Sequence, residues 1–148
     1  AAYEDLSAFK IYLSDIGLLG KLAEVAVAAL VTKDDVIGYR EFKGAFAENY
    51  VLQSLSTQST VNLRYWTSNN SAEVDFLLQY DTHILPIEVK SGKSTSSRSL
   101  TLYNADKHPI LRIRYSDKEL KLDDNLLNIP LYMADWTFAL LNRVIASL

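Results

Sequence analysis

Two strand-like runs separated by two residues are the feature that most constrains the fold of this chain. The first run covers residues 72–80 and the second covers residues 83–90, with Asp81 and Thr82 between them. Both runs are rich in apolar side chains with polar ones interleaved, which is typical of β-strands. A connection this short joins antiparallel strands, because parallel strands need a crossover of about a dozen residues or more. The sequence therefore predicts a β-hairpin.

The register of this hairpin follows from a turn at Asp81 and Thr82. It places three apolar pairs opposite one another on a single face: Phe76 with Ile87, Val74 with Val89, and Leu78 with Leu85. Asp75 is then opposite Glu88, and Lys90 lies on the same face as both acids. Two facing carboxylates repel each other, so a cation between them is expected. An acid on one strand and acid-x-lysine on the next hold a divalent cation beside an amine, an arrangement that favours phosphodiester hydrolysis. The alternative interpretation is that these are ordinary solvent-facing charges.

A third acid belongs to a helix predicted over residues 39–55. Glu48 lies among apolar residues of this helix, so we expect its carboxylate to point toward packed protein. Buried carboxylates are rare unless they are paired or bound to a metal. Gly44, one turn earlier, is expected to leave room for a close approach. The alternative for Glu48 is a structural salt bridge, with Lys90 or Arg64 as its partner.

The remaining patterns predict an α/β fold with a mixed central sheet. From residue 39 the expected order is helix, three strands, helix and strand, over residues 39–55, 62–67, 72–80, 83–90, 98–106 and 109–115. Residues 120–122 and 126–132 are predicted to form short strands. A C-terminal helix is expected with one apolar face, formed by Trp136, Leu140, Leu141, Val144, Ile145 and Leu148.

The N-terminal part is expected to be an extension of this core. Residues 9–13 are predicted to form a short strand, followed by a helix capped by Ser14 or Asp15. A weak alanine-rich helix is expected over residues 23–31. We divide the single domain into an extension (about 1–36), a core (about 37–116) and C-terminal strands and helix (about 117–148).

Composition excludes several classes of protein. The 148 residues suit one globular domain, and the absence of cysteine excludes disulfides and thiolate metal sites. Two histidines are too few for a histidine-rich zinc site. The longest apolar run, residues 25–31, is far shorter than the roughly 20 residues of a membrane span, so we expect a cytoplasmic protein without membrane contact. A net charge of -3 is unusual for a stand-alone nucleic-acid binder, so any DNA affinity is expected to come largely from elsewhere.

With Glu48 on a helix, Asp75 on a strand and Glu88-Val89-Lys90 on the next, the chain resembles the PD-(D/E)XK nuclease superfamily, whose core has the order αβββαβ. More closely, it resembles the uncharacterised C-terminal domain of a prokaryotic AAA-type ATPase family, in five blocks: residues 9–19, 44–48, 65–66, 72–76 and 86–90. Two departures stand out. Val74 occupies the position of the proline in the superfamily's name, and the glutamine that some members carry after the lysine is absent.

The resemblance implies a Mg²⁺- or Mn²⁺-dependent nuclease acting on DNA. Asp75, Glu88 and the Val89 carbonyl would bind the ion, and Lys90 would position or help deprotonate the attacking water. Glu48 would orient the ligands of this ion without binding it, or would bind a second ion. It also implies that the chain is a fragment of a longer protein, with ATP bound in a separate N-terminal ATPase domain, a winged-helix module between them, and a homo-oligomer as a further expectation. The sequence itself has no phosphate loop of the Gly-x-x-x-x-Gly-Lys-Ser/Thr type.

Two other interpretations remain open. One is a catalytically inactive module that binds DNA, a protein partner or its own ATPase subunits. The other is a generic α/β domain in which the acids coincide by chance, which requires a different hairpin register. The aromatic pair Tyr65-Trp66 also has two interpretations, base stacking or packing in the core or at a sheet edge.

Overall fold

The computed structural model describes residues 7–24, 37–68, 72–92 and 96–147. Its centre is a six-stranded mixed β-sheet with helices packed against it. The strands are β1 (Arg64–Ser68), β2 (Ala72–Tyr80), β3 (His83–Val89), β4 (Arg112–Ser116), β5 (Lys121–Asp123) and β6 (Leu126–Pro130). Their order across the sheet is β1-β2-β3-β4-β6-β5. The β3–β4 and β4–β6 pairs are parallel, and the other neighbours are antiparallel.

Four α-helices and one 3-10 helix are assigned in the described residues. They are α1 (Ile16–Leu22), α2 (Ile37–Gln58), α3 (Arg98–Lys107), the 3-10 helix (Leu131–Trp136) and α4 (Thr137–Ile145). From α2 onward the order is helix, three strands, helix and strand, as the sequence predicts. In this part of the chain, no helix combines the length and the apolar character needed to cross a membrane.

The core consists of two apolar clusters on opposite faces of the sheet. The larger one joins α2, through Ala47, Val51 and Leu55, to the inner strands and to α4. The smaller one joins Val74 of β2 to Leu100 and Tyr103 of α3. Leu77 and Leu78 are consecutive on β2, yet they belong to different clusters. Because consecutive strand residues point to opposite faces, α2 and α3 cover the two sides of the sheet.

The predicted hairpin is confirmed over most of its length. Asp81 and Thr82 form the turn, and Asp81 has a positive φ of 53°, a conformation that Asp tolerates in tight turns. Five pairs have the predicted register, from Tyr80–His83 to Phe76–Ile87. The ladder ends there, so the predicted pairs Val74–Val89 and Asp75–Glu88 are wrong as backbone pairs. Beyond Ile87, strand β3 pairs with β4.

A β-bulge in β2 explains why the ladder ends. Arg64 pairs with Leu77 and Trp66 pairs with Val74, so β2 has one more residue than β1 between these two pairs. A bulge of this kind changes which face the following side chains point to. Val74 and Leu77 consequently join the same cluster although they are three residues apart, whereas Phe76 joins the other. The expectation that Val74 and Phe76 share a face is therefore wrong.

The N-terminal segment is not a strand, contrary to the prediction for residues 9–13. Its backbone bonds to side chains of α2 instead of to a strand edge: Leu13 exchanges two hydrogen bonds of 2.9 Å with the Asn49 amide. Asp15, one of the two predicted caps, is the N-cap of α1, and its carboxylate accepts a 2.8 Å hydrogen bond from the Leu18 N–H.

Three further expectations need correction or fall outside the description. A Cβ added at Gly44 would meet no atom of the described residues within 4 Å, so none of them makes a close approach to this glycine. Trp136 is 63% exposed and is not part of the buried C-terminal face, whereas Leu141 is fully buried. Most of the alanine-rich helix predicted over residues 23–31 and the last apolar position, Leu148, lie outside the described residues.

Candidate active site

The predicted acids come from three different elements and lie close enough to the end of the β2–β3 ladder for their charges to act on one another. Asp75 lies in the bulge of β2, Glu88 near the end of β3, and Glu48 on α2. Their charges act on one another, because Glu48 and Glu88 both raise the pKa of Asp75. The structure therefore brings together the carboxylates singled out in the sequence, by a bulge and a helix and not by direct cross-strand pairing.

Asp75 is half-buried, and its carboxylate takes the place of the backbone carbonyl that would accept a hydrogen bond in a regular β-ladder. Its Oδ2 accepts a 2.7 Å hydrogen bond from the Val89 N–H, the group that would otherwise face β2. Burial is the main cause that raises the pKa of Asp75 to about 7; the negative charges of Glu48 and Glu88 act in the same direction, and the Val89 N–H and the positive charge of Lys10 oppose the shift. Near neutral pH this carboxyl is thus poised between its protonated and ionised forms.

Glu88 is the most buried acid of the site, with 4% of its surface exposed. Its Oε1 forms an ion pair with the Lys90 amine. Its Oε2 is buried and has no hydrogen-bond partner in the described part of the chain. Burial raises the pKa of Glu88, although Lys90 opposes the shift. A buried carboxylate oxygen without a donor is costly, so this atom is the clearest indication that the site receives a ligand.

Lys90 is a partly exposed residue that contacts the buried Glu88. Its backbone N–H donates a 2.9 Å hydrogen bond to the Tyr115 carbonyl, which extends the β3–β4 connection by one residue. Its side chain is 31% exposed, whereas that of the Glu88 partner is 5% exposed. The partly exposed amine therefore neutralises one oxygen of the buried Glu88 carboxylate.

Glu48 is bound by a residue that the sequence did not indicate. Its Oε2 accepts a 3.1 Å hydrogen bond from the Tyr12 hydroxyl, and Lys90, one of its predicted partners, pairs with Glu88 instead. The Tyr12 ring packs against Phe76, with 5.5 Å between ring centroids. Burial raises the pKa of the Tyr12 phenol, and the charge of Glu48 adds to the shift, so the hydroxyl remains a donor at physiological pH.

Lys10 is the second site residue missed in the sequence. Its amine forms an ion pair with Glu73 and lies 5.3 Å from the centre of the Tyr65 ring. Its positive charge also lowers the pKa of Asp75. The sequence signal was the alternation of residues 9–13, but this pattern predicts that the apolar Phe9 and Ile11 are shielded, whereas both are exposed in the structure.

The charge balance of the site leaves a formal excess of two negative charges when all groups are ionised. Four carboxylates contribute (Glu48, Glu73, Asp75 and Glu88), and two amines oppose them (Lys10 and Lys90). A divalent cation would neutralise this excess. Over the described ranges, no three His, Cys, Asp or Glu side chains converge as a metal-ligand set. An ion here would therefore be held by two carboxylates, a backbone carbonyl and water, which suits Mg²⁺ because it keeps several waters.

The aromatic pair on β1 has a packing role. The Trp66 ring meets the edge of Tyr103 in a T-shaped contact, with centroids 5.3 Å apart, and it adds to the smaller core cluster. Tyr65 lies under the Lys10 amine. Of the two interpretations open for this pair, the structure shows core and surface packing.

The fold and the site together define an α/β domain with a mixed sheet and a cluster of shielded acids and lysines where two strands part. By its sequence the chain belongs to DUF4143, a domain of unknown function, whose family model matches residues 43–133. This span includes Glu48, Asp75, Glu88 and Lys90, but not Tyr12. No curated protein and no solved structure matches the chain.

Proposed function

We propose that this chain is a divalent-metal-dependent phosphodiester hydrolase domain that acts on DNA. The observation that carries the proposal is the buried Glu88 Oε2, which has no hydrogen-bond partner in the described residues and lies beside a second carboxyl whose pKa is raised to about 7. A Mg²⁺ or Mn²⁺ ion bound by Asp75 and Glu88 would give this oxygen a partner and would offset the repulsion between the two carboxylates. Hard oxygen ligands favour these ions over softer metals.

The element order supports a PD-(D/E)XK nuclease-like core. From α2 to β4 the order is αβββαβ, with Glu48 on the first helix, Asp75 on the second strand, and Glu88 and Lys90 at the end of the third. We further propose that the domain is attached to an AAA-type ATPase. The ATPase, with its winged-helix module, would then supply the DNA affinity that a chain of net charge -3 does not provide by itself.

Each residue has a distinct role in the proposed reaction. Asp75, Glu88 and the Val89 carbonyl would hold the ion, which polarises a phosphoryl oxygen and acidifies a water molecule when bound. Lys90 would turn its amine from Glu88 toward the substrate, where it orients the attacking water and stabilises the charge that develops on the phosphoryl group. Glu48 would hold the ion's surroundings in place through its charge, fixed by Tyr12.

A second candidate is a module with the same fold that binds DNA or a protein and does not cut. The observation that favours it is the ion pair between Lys90 and Glu88, which already neutralises one oxygen of the acid without any metal. This candidate predicts no binding of Mn²⁺ and a purely structural role for the acids.

The test is cleavage of plasmid and oligonucleotide DNA by the full-length protein with Mg²⁺ or Mn²⁺. We expect Lys90→Ala and Asp75→Ala to lower the cleavage rate by roughly 10²–10³-fold, the usual loss when a group that stabilises transition-state charge is removed. Lys121→Ala is the matched control, because Lys121 also pairs with an acid two residues away, Asp123, but on the exposed strand β5. Cleavage that survives both site substitutions would overturn the assignment.

A further inference from the structure

Residues 9–13, here called the N-terminal strap, lie along α2 beside the acids. The strap is fastened by side chains of α2: the Asn49 amide exchanges two hydrogen bonds with Leu13, and the Gln53 side chain accepts a 2.9 Å bond from the Ile16 N–H just beyond it. Asn49 is 2% exposed. A buried amide that binds both backbone groups of one residue fixes the position and direction of the strap.

The strap presents alternate side chains to the site. Phe9 and Ile11 are 74% and 79% exposed, whereas Lys10 and Tyr12 are partly shielded. Tyr12 and Lys10 each contact an acid, Glu48 and Glu73 respectively, and the two hydrogen bonds at Leu13 hold the segment in this position. The hydrogen bonds that Asn49 and Gln53 of α2 form with the backbone thus hold the strap where Tyr12 contacts Glu48.

Tyr12 is surrounded by the negative groups of the site. The charges of Glu48, Asp75 and Glu73 all act on its phenol, and its hydroxyl donates to Glu48 Oε2. Its ring rests on Phe76, the residue that follows Asp75 in the bulge. One side chain therefore contacts the helix that carries Glu48 and the bulge that carries Asp75.

We propose that Tyr12 is a positioning residue of the metal site, and that its hydroxyl holds the Glu48 carboxylate in range of Asp75 and Glu88. Without this donor, Glu48 is free to rotate toward solvent, and the field that draws a cation to the pair weakens. The inference rests on the proposed function, since it assigns Tyr12 to the same site. It also extends the site beyond residues 43–133, the span that the family model matches.

The test compares two tyrosines that lose the same kind of bond. Tyr12→Phe removes the hydroxyl bond to Glu48 and keeps the ring against Phe76. Tyr80→Phe is the matched control: its hydroxyl bonds to Asn142, and its ring packs against Phe138 with centroids 6.1 Å apart, in contacts that involve none of the site acids. Mn²⁺ affinity of the 148-residue chain is measured by calorimetry, and the melting temperature of each variant checks the fold.

We expect Tyr12→Phe to weaken Mn²⁺ binding roughly 10- to 100-fold, the usual effect of losing a group that orients the residues around a metal without binding the metal itself. Tyr80→Phe is expected to bind Mn²⁺ as the wild type does, with a similar change in melting temperature. Equal Mn²⁺ affinity in the wild type and Tyr12→Phe would overturn the inference and leave the proposed function standing. Failure of the wild-type chain to bind Mn²⁺ would overturn both.

A double-variant cycle separates positioning from general damage. If Tyr12 acts through Glu48, then Glu48→Gln weakens Mn²⁺ binding, and adding Tyr12→Phe to it has little further effect. Losses in Mn²⁺ affinity that multiply in the double variant would contradict the inference, because they would mean that Tyr12 acts independently of Glu48. This comparison holds even if both single variants are somewhat less stable, since stability is measured separately.

Discussion

At the scale of single residues, the site contains two carboxyl groups, Asp75 and Glu88, whose burial disfavours the ionised form. Asp75 has a pKa of about 7 against an ordinary value near 3.8, and burial also raises the pKa of Glu88, which keeps one oxygen without a partner in the described residues. Shifted acids of this kind are common at functional sites because the function, not the fold, needs the charge. The fold tolerates them since the rest of the core is apolar and closely packed.

The pH dependence of stability should show this cost. The folded state binds Asp75's proton more tightly than the unfolded state, so the stability this group contributes is fully present below about pH 4 and is lost as the pH rises through 7. Asp75→Asn keeps an acceptor for the Val89 N–H but cannot ionise. Relative to the wild type without metal, its free energy of unfolding should therefore increase between pH 4 and pH 8, by on the order of 1–3 kcal/mol.

Urea denaturation of both proteins across this pH range measures the difference. Asp106→Asn is the control, because Asp106 is an exposed acid that pairs with Lys107. A difference between Asp75→Asn and the wild type that does not change with pH would contradict the assignment of a raised pKa to Asp75.

At the scale of elements, the hairpin was predictable and the bulge was not. The turn residues and the apolar pattern of β2 and β3 set the register between these two strands, and five pairs match it. The bulge depends on how β1 pairs with β2, and nothing within β2 itself specifies that register. The candidate acids were consequently identified, whereas the way they meet was predicted wrongly.

The N-terminal strap shows a second limit of the sequence. Its alternation of apolar and polar residues is the pattern of a strand with a shielded apolar face, yet Phe9 and Ile11 are exposed and Lys10 and Tyr12 are the partly shielded side chains. The partner of this segment is the helix α2, which contacts it through Glu48 and Asn49, and these contacts span 36 residues of sequence. Tyr12 and Lys10 were missed for this reason, although the segment that contains them was recognised.

Removing the strap's anchor should therefore loosen one element and spare the rest. Asn49→Ala deletes both hydrogen bonds to Leu13 and leaves the Leu13 N–H and carbonyl without these partners. We expect a loss of about 1–3 kcal/mol in the free energy of unfolding. Hydrogen exchange of the Leu13 amide should become faster, while exchange within β3 and β4 should change only as much as global stability does.

The control for the strap is Asn142→Ala, since Asn142 is an exposed side chain that bonds to Tyr80 on another part of the surface. Protection of the Leu13 amide that is the same in Asn49→Ala and in the wild type would mean that other contacts fasten the strap.

At the scale of the whole molecule, one sheet supplies both the core and the site. Strand β3 separates from β2 after Ile87 but stays paired with β4. Helices pack against both faces of the sheet, and the acids lie near the point where β2 and β3 separate. The chain as a whole carries a charge of -3, and the site itself carries two excess negative charges when ionised. A divalent cation is the partner that this distribution favours most directly.

Crystals of the chain grown with Mn²⁺ test this central claim most directly, because the anomalous scattering of manganese locates the ion independently of the protein. The account predicts a peak bonded to a carboxylate oxygen of Asp75 and to Glu88 Oε2, with Glu48 still held by Tyr12. A structure without a peak at this position, in which Glu88 retains the Lys90 amine as its partner and the Oε2 atom stays unbound, would contradict it.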